Sequence, residues 1–258
     1  LDKFLDDAVG NEVSNIELWG AMPFFNIEDM TYQEVKEVRH QIESRGLKLV
    51  CLTPEQCVYP VNLAAPSETA RRRSLKFFED NIRAASELGT DKMLVTTGYG
   101  FFDESNHEEA WKWARDGIYD LAELAKIHGI TLALEVLRRD ESNLVYNLPT
   151  LTQMLAELKH DSVGGMIDTI PMALAGERPA DYLPALGEQL VHVHFIDGAP
   201  RGHLAWGDGL LDMEGYLEEF SRYHYKGYLS LEITDGRYYM DPTQSVQQSV
   251  NALYKVLK

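Results

Sequence analysis

Four apolar segments each carry, near their C-terminal end, a residue able to bind a cation. They are Glu135 in LALEVL, Asp168 in GMIDT, His194 in VHVHF and Glu232 in LSLEI. A carboxylate isolated among apolar side chains is costly to ionise, so it is normally paired or metal-bound. Any one of them has an ordinary explanation as a hydrogen-bonded core group. Four on consecutive segments, at matched depth, ask for a shared partner. Two glutamates, an aspartate and a histidine make an oxygen-rich set with one nitrogen. That suits Mn2+, Co2+ or Mg2+ better than a thiolate-bound structural zinc. In LVHVHFIDG (190–198) two histidines sit two residues apart and share one strand face. His194, nearer the strand end, is the expected ligand; His192, one layer deeper, is expected to pack or hydrogen-bond.

Those residues need parallel strands to bring them together. Apolar, β-branched runs at 15–19, 47–53, 92–97, 132–137, 164–169, 191–197 and 228–234 predict strands. Helices are predicted over 32–45, 67–88, 107–128, 150–158, 179–186, 213–223 and 243–257, with Thr31 as a cap and Gly46, Gly89 and Gly129 as stops. Strand and helix alternating every 30 to 40 residues or so means crossover connections and a parallel sheet. The first element, LDKFLDDAV, reads as a helix with Leu1, Phe4, Leu5 and Ala8 on one face. An eighth strand ahead of Leu1, in a sequence expected to lack its true start, would complete a (β/α)8 TIM barrel. The rival, an open doubly wound sheet, is disfavoured because no glycine-rich phosphate loop follows an early strand. A single barrel domain over residues 1–258 is therefore expected.

Composition narrows the partners. Lys and Arg number 24 against 41 Asp and Glu, a net charge of −17. Such a surface repels phosphate backbones and anionic lipid, which argues against nucleic acid and membrane. Cys51 and Cys57 are the two cysteines. Two thiols at this length fit a reducing, cytoplasmic setting, and their spacing is not that of zinc ligands.

The stretches LEVLRRDESNLV, MIDT, VHVHFID and LEIT resemble the metal-site strands of the xylose-isomerase-like sugar isomerases and epimerases. IELWG (16–20), TPE followed by YPVN (53–62) and ESNLV (141–145) are similar to the ketose 3-epimerase branch, the fructoselysine 3-epimerase type above all. The resemblance implies one divalent metal held by Glu135, Asp168, His194 and Glu232. It implies that Glu135 and Glu232 face opposite sides of the substrate as a two-base pair acting through a cis-enediolate. It places Glu141 near the reacting centre and Arg201 on substrate oxygens, and it implies a sugar substrate and a homodimer or homotetramer. One position departs from the pattern. Ketohexose epimerases carry a substrate-binding histidine three residues after the aspartate, where this chain has Pro171. That disfavours a free ketohexose and favours another ketose or a ketose adduct. The same metal site could serve an aldose–ketose or hydroxypyruvate-type isomerase, or a sugar-derivative dehydratase.

Smaller signals lie on the loops beyond the strands. Trp19 shares a strand face with Glu17 and is a candidate to stack on a sugar ring, against a plain packing role. His203, in the glycine-rich RGHLAWGDG loop, is a substrate-binding candidate, against an ordinary exposed histidine. Glu55 and Tyr59 follow the second strand, where binding residues belong.

Overall fold

In the computed structural model, residues 1–56, 60–199 and 201–257 are described; the candidate Tyr59 and the thiol of Cys57 lie outside them. The chain runs α1 (Asp2–Gly10), β1 (Asn15–Gly20), α2 (Tyr32–Ser44), β2 (Lys48–Pro54), α3 (Glu68–Leu88), β3 (Lys92–Val95) and α4 (His107–His128). It continues through β4 (Thr131–Glu135), α5 (Leu148–Leu158), β5 (Val163–Asp168), α6 (Thr169–Leu174), α7 (Pro179–Leu186), β6 (Leu190–His194), α8 (Met213–Arg222), β7 (Leu229–Ser230) and α9 (Pro242–Leu257). The strands lie side by side in the order β1 to β7, and every pair is parallel. This is a nearly closed α/β barrel. Its curvature is visible in Glu17 of β1, whose carboxylate reaches His192 and His194 of β6.

The helices form where the expected signals lie. Thr31 closes a reciprocal cap on α2: its hydroxyl accepts from Glu34 N, and its own N–H donates to Glu34 Oε2 at 2.7 Å. Gly89 and Gly129 end α3 and α4 in the left-handed conformation that glycine adopts without a Cβ penalty. The predicted face of α1 is only partly buried: Leu5 and Ala8 enter the core, and Phe4 stays exposed.

β3, β4 and β6 end earlier than their apolar runs, because the backbone finds other partners. Thr96 N donates to the Gln56 side chain, which stops β3. Leu137 N donates to Val145 O after β4. Ile196 N donates to Thr169 Oγ1, which turns the chain away after β6. β7 then has little left to pair with, so it is two residues long instead of seven, and Glu232 lies two positions beyond it. The short α6 was not anticipated; it starts directly from β5, with Asp168 Oδ1 capping it by accepting from Ile170 N at 2.7 Å.

Asn62 locks the loop after β3 onto the loop after β2. Its Nδ2 donates to Tyr99 O at 3.0 Å, and its Oδ1 accepts from Tyr99 N at 3.1 Å. Gly98 makes room for this amide: its φ is +72°, and a Cβ there would run into Asn62 Oδ1. Gly98→Ala should therefore cost about 2–4 kcal/mol, from left-handed strain together with a steric clash. Chemical denaturation checks this; a loss under about 0.5 kcal/mol, within the range of neutral surface changes, would show that the loop yields freely.

Candidate functional site

At the C-terminal ends of the last four strands, side chains converge. Glu135, Asp168 and His194 are the final residues of β4, β5 and β6, and the register sets Asp168 opposite His194. All three are buried. Glu232 comes from beyond β7 and is more open, with 30% of its side chain exposed. His194 Nδ1 stands 3.2 Å from Glu135 Oε1 and 3.2 Å from Glu232 Oε2. Ligand atoms of Glu135, Asp168 and His194 all lie within 4.8 Å of one another.

His203 joins this group from the loop after β6. Its Nε2 is 3.4 Å from Asp168 Oδ2, and its Nδ1 is 3.0 Å from Glu232 Oε2. Atoms of Asp168, His203 and Glu232 form a second set close enough to share a cation. The remaining candidates stand apart from the cluster in their contacts. Glu141 is bound to Arg138 Nη2 at 2.5 Å, and Arg201 to Asp140 at 3.0 Å. Trp19 is 44% exposed and donates its indole N–H to Glu55.

Beneath the cluster lies a residue to which the sequence reading assigned no role. Glu17 Oε1 is 2.9 Å from His194 Nε2, and Glu17 Oε2 is 2.7 Å from His192 Nε2. The Thr53 hydroxyl also donates to Glu17 Oε1. His192 is fully buried and further shares its Nε2 with Ser230 Oγ at 3.3 Å. The detectable signal was an acid between the buried Ile16 and Leu18 of an apolar strand. Its partners, 175 and 177 positions away, gave no local sign.

Glu17 settles how His194 is oriented. With Nε2 committed to Glu17, Nδ1 faces the Glu135 and Glu232 oxygens, and it is buried without a hydrogen bond. His203 Nδ1 is likewise buried without one. A nitrogen lone pair facing two carboxylates repels them unless a proton or a metal cation lies between. The protein's own charges favour the proton: burial alone would lower the His194 value, but Glu17 and Glu232 outweigh it and hold it well above the usual imidazole range. His203 is likewise pushed up to about 9 against its burial, chiefly by Asp168 and Glu232. Burial pushes Glu135 up to about 8, with help from Glu232 and Asp168, and it also raises Asp168. Glu232 goes the other way: burial opposes its ionisation, but His194 and His203 hold it well below the carboxylate range. Orphaned imidazole nitrogens within reach of three carboxylates fit a hard or borderline divalent ion.

The sequence pattern of the family described as xylose isomerase-like TIM barrel matches residues 6–256. A fructoselysine 3-epimerase of Shigella flexneri is 26% identical over 245 residues, covering 94% of this chain and 88% of that protein. Among solved structures, a 3-keto-D-glucoside 4-epimerase of E. coli superimposes with a TM-score of 0.82 at 21% identity, covering 98% of this chain and 94% of the other. A D-psicose 3-epimerase of Clostridium cellulolyticum superimposes with a TM-score of 0.83 at 15% identity, covering 99% and 92%. At these identities the superpositions speak for the fold. Among the described residues no helix is long and apolar enough to cross a membrane.

A cation that takes His194 Nδ1 must displace its proton. Mn2+ added to chelator-treated protein at pH 7 should release protons, and its affinity should rise with pH while His194 and His203 remain protonated in the metal-free protein. Calorimetry in buffers of different ionisation enthalpy measures this; heats independent of buffer would remove His194 as a ligand. Glu17→Gln keeps the shape but removes the charge that orients the ring, so Mn2+ should bind about 10–100-fold more weakly.

Proposed function

The chain belongs to the xylose isomerase-like TIM barrel family, and from that premise we propose that it is a divalent-metal-dependent epimerase inverting C3 of a ketose or of a ketose–amine adduct such as fructoselysine. The observation that carries this reading is the meeting of Glu135, from the end of β4, and Glu232, from the segment after β7, at one nitrogen of His194. Similarity to a fructoselysine 3-epimerase over most of both chains supports the substrate class.

A hydrogen on the carbon beside a ketone leaves too slowly at neutral pH without help. A divalent ion held by Glu135, Asp168, His194 and Glu232 would supply positive charge to the oxyanions that develop as it leaves. The protein's part is to move the proton. Inversion requires a base on one face and an acid on the other. Glu135 and Glu232 are the candidate pair. The two glutamates would exchange roles when the reaction runs backwards. Asp168 Oδ1 is tied to the start of α6, which holds the carboxylate still while Oδ2 faces His203.

A screen of ketoses and fructose–amino acid adducts with Mn2+, Co2+ or Mg2+ tests this directly. Activity should vanish with chelator and return with metal. Glu135→Gln and Glu232→Gln should each lose about 10²–10⁴-fold in kcat. Turnover in D2O should place deuterium at the inverted carbon. Conversion to an aldose, or loss of water from the sugar, would instead assign an isomerase or a dehydratase to the same residues.

A further inference from the structure

Next to the carboxylate cluster, a cleft of about 770 Å3 opens among the loops that follow β3, β4, β5 and β6. Its charge runs against that of the molecule. In a chain of net charge −17, three guanidinium groups, Arg138, Arg139 and Arg201, line this cleft, and among the described residues Asp140 is the single acid on its wall. Asp140 is shared: its oxygens lie 3.0 Å from Arg201 Nη1 and 3.5 Å from Arg138 Nε. Arg138 also pairs with Glu141 and Arg139 with Glu104, but neither of those carboxylates lines the cleft, and Arg138 Nε remains buried without a hydrogen bond. Arg139 sits over the Tyr146 ring, 4.0 Å from its centre, which holds the guanidinium at the wall while leaving more than half of its side chain in solvent.

The cleft is coupled to the cluster. Glu141 pairs with Arg138 at 2.5 Å and is near enough to Asp168 for that charge to act on it. Pro171, three residues past Asp168, forms part of the cleft wall. A sugar reacting at the cluster would therefore direct a long substituent along Glu141 and Pro171 towards the arginines. Planar forks of N–H donors match carboxylate and phosphate oxygens two at a time.

We propose that this cleft is an anion subsite, and that the substrate is a ketose bearing a carboxylate or a phosphate on the portion that lies outside the carboxylate cluster. The proposal rests on the epimerase reading for its sugar, but the cleft's affinity for an oxyanion stands or falls separately. A neutral free sugar would leave the three guanidiniums on the cleft wall without an oxyanion to bind.

Two measurements on the metal-loaded protein decide the matter. In the first, methyl phosphate and propionate are titrated into the Mg2+-loaded protein and followed by chemical-shift changes, with Arg139→Gln and Arg201→Gln for comparison. Both variants are at exposed positions, so folding should survive, and circular dichroism verifies it. At least one probe should bind, and each variant should weaken it about fivefold, the scale of a partly exposed charge pair. The probe that binds more tightly identifies the anion. No binding, or binding indifferent to both variants, overturns the subsite. In the second, D-fructose, fructose 6-phosphate and a fructose–amino acid adduct are compared for turnover. The subsite requires a charged sugar to have the higher kcat/KM, with the charged-to-neutral ratio falling in both variants. Equal turnover of neutral and charged sugars sinks the subsite and leaves the epimerase reading in place. Anion binding without turnover of any sugar does the reverse.

Discussion

Like charges crowded into a buried space constrain this barrel more than any other feature. Glu17, Glu135, Asp168 and Glu232 bring four carboxylates to one end of the strands, with His192, His194 and His203 among them. Buried carboxylates cannot all ionise without counter-charge. The structure resolves this in two tiers. In the deeper one, Glu17 is satisfied by two imidazoles and the Thr53 hydroxyl, and its carboxyl is held well below the usual range, His194 and His192 outweighing its burial. In the upper one, Glu135, Asp168 and Glu232 have too few donors, and two of the three are pushed towards protonation. His194 belongs to both tiers through its two nitrogens. The deep tier is complete, whereas the upper one is balanced by protons on His194 and His203 and on its own carboxyls, protons that a bound cation would have to displace.

The scaffold supplies the closeness that this requires. Parallel register sets Asp168 opposite His194, so β5 and β6 end level, while Glu135 lies opposite Met166, two residues short of the end of β5. β5 carries Gly164 and Gly165 where its neighbours press hardest. A Cβ on Gly164 would overlap the Val191 side chain, and one on Gly165 would come within 3.0–3.3 Å of Leu151, Leu186 and Leu155 from α5 and α7. The helices thus pack directly against the backbone of β5, and a rigid strand presents Asp168. α6 then grips that carboxylate from the other side.

What the sequence made legible follows from locality. Strands and helices announce themselves through period and caps, and three of the four converging residues are the last residues of strands. Glu232 was expected on a seven-residue strand, but the length of β7 depends on where β6 turns away, and a hydroxyl on Thr169 sets that turn. His203 was visible as one option among several, because a loop histidine has no period to betray its direction. Glu17 was harder still. Its surroundings in sequence, Ile16 and Leu18, mark it as an acid in an apolar strand and nothing more. Its role appears only when the barrel's curvature carries β1 across the interior to β6.

The two tiers and the arginine cleft divide the work according to rigidity. Groups that must hold a charge against burial sit at strand ends, where backbone pairing fixes them and water is scarce. The arginines proposed to select the substrate sit on the connecting loops, more open to solvent: Arg201 is held by Asp140, and Arg139 by Tyr146 and Glu104. On the proposal above, changing Arg139 or Arg201 alters which substituent is welcome. Changing Glu17 leaves every loop in place but removes the anion that turns His194 towards the other carboxylates. Pro171 stands at the boundary between these regimes. It lies in the first turn of α6, beside the helix start that Asp168 caps, and on the cleft wall beside the arginines. At that position the chain offers no imidazole to a sugar hydroxyl. Recognition is displaced outward to the guanidiniums, and so to whatever the sugar carries.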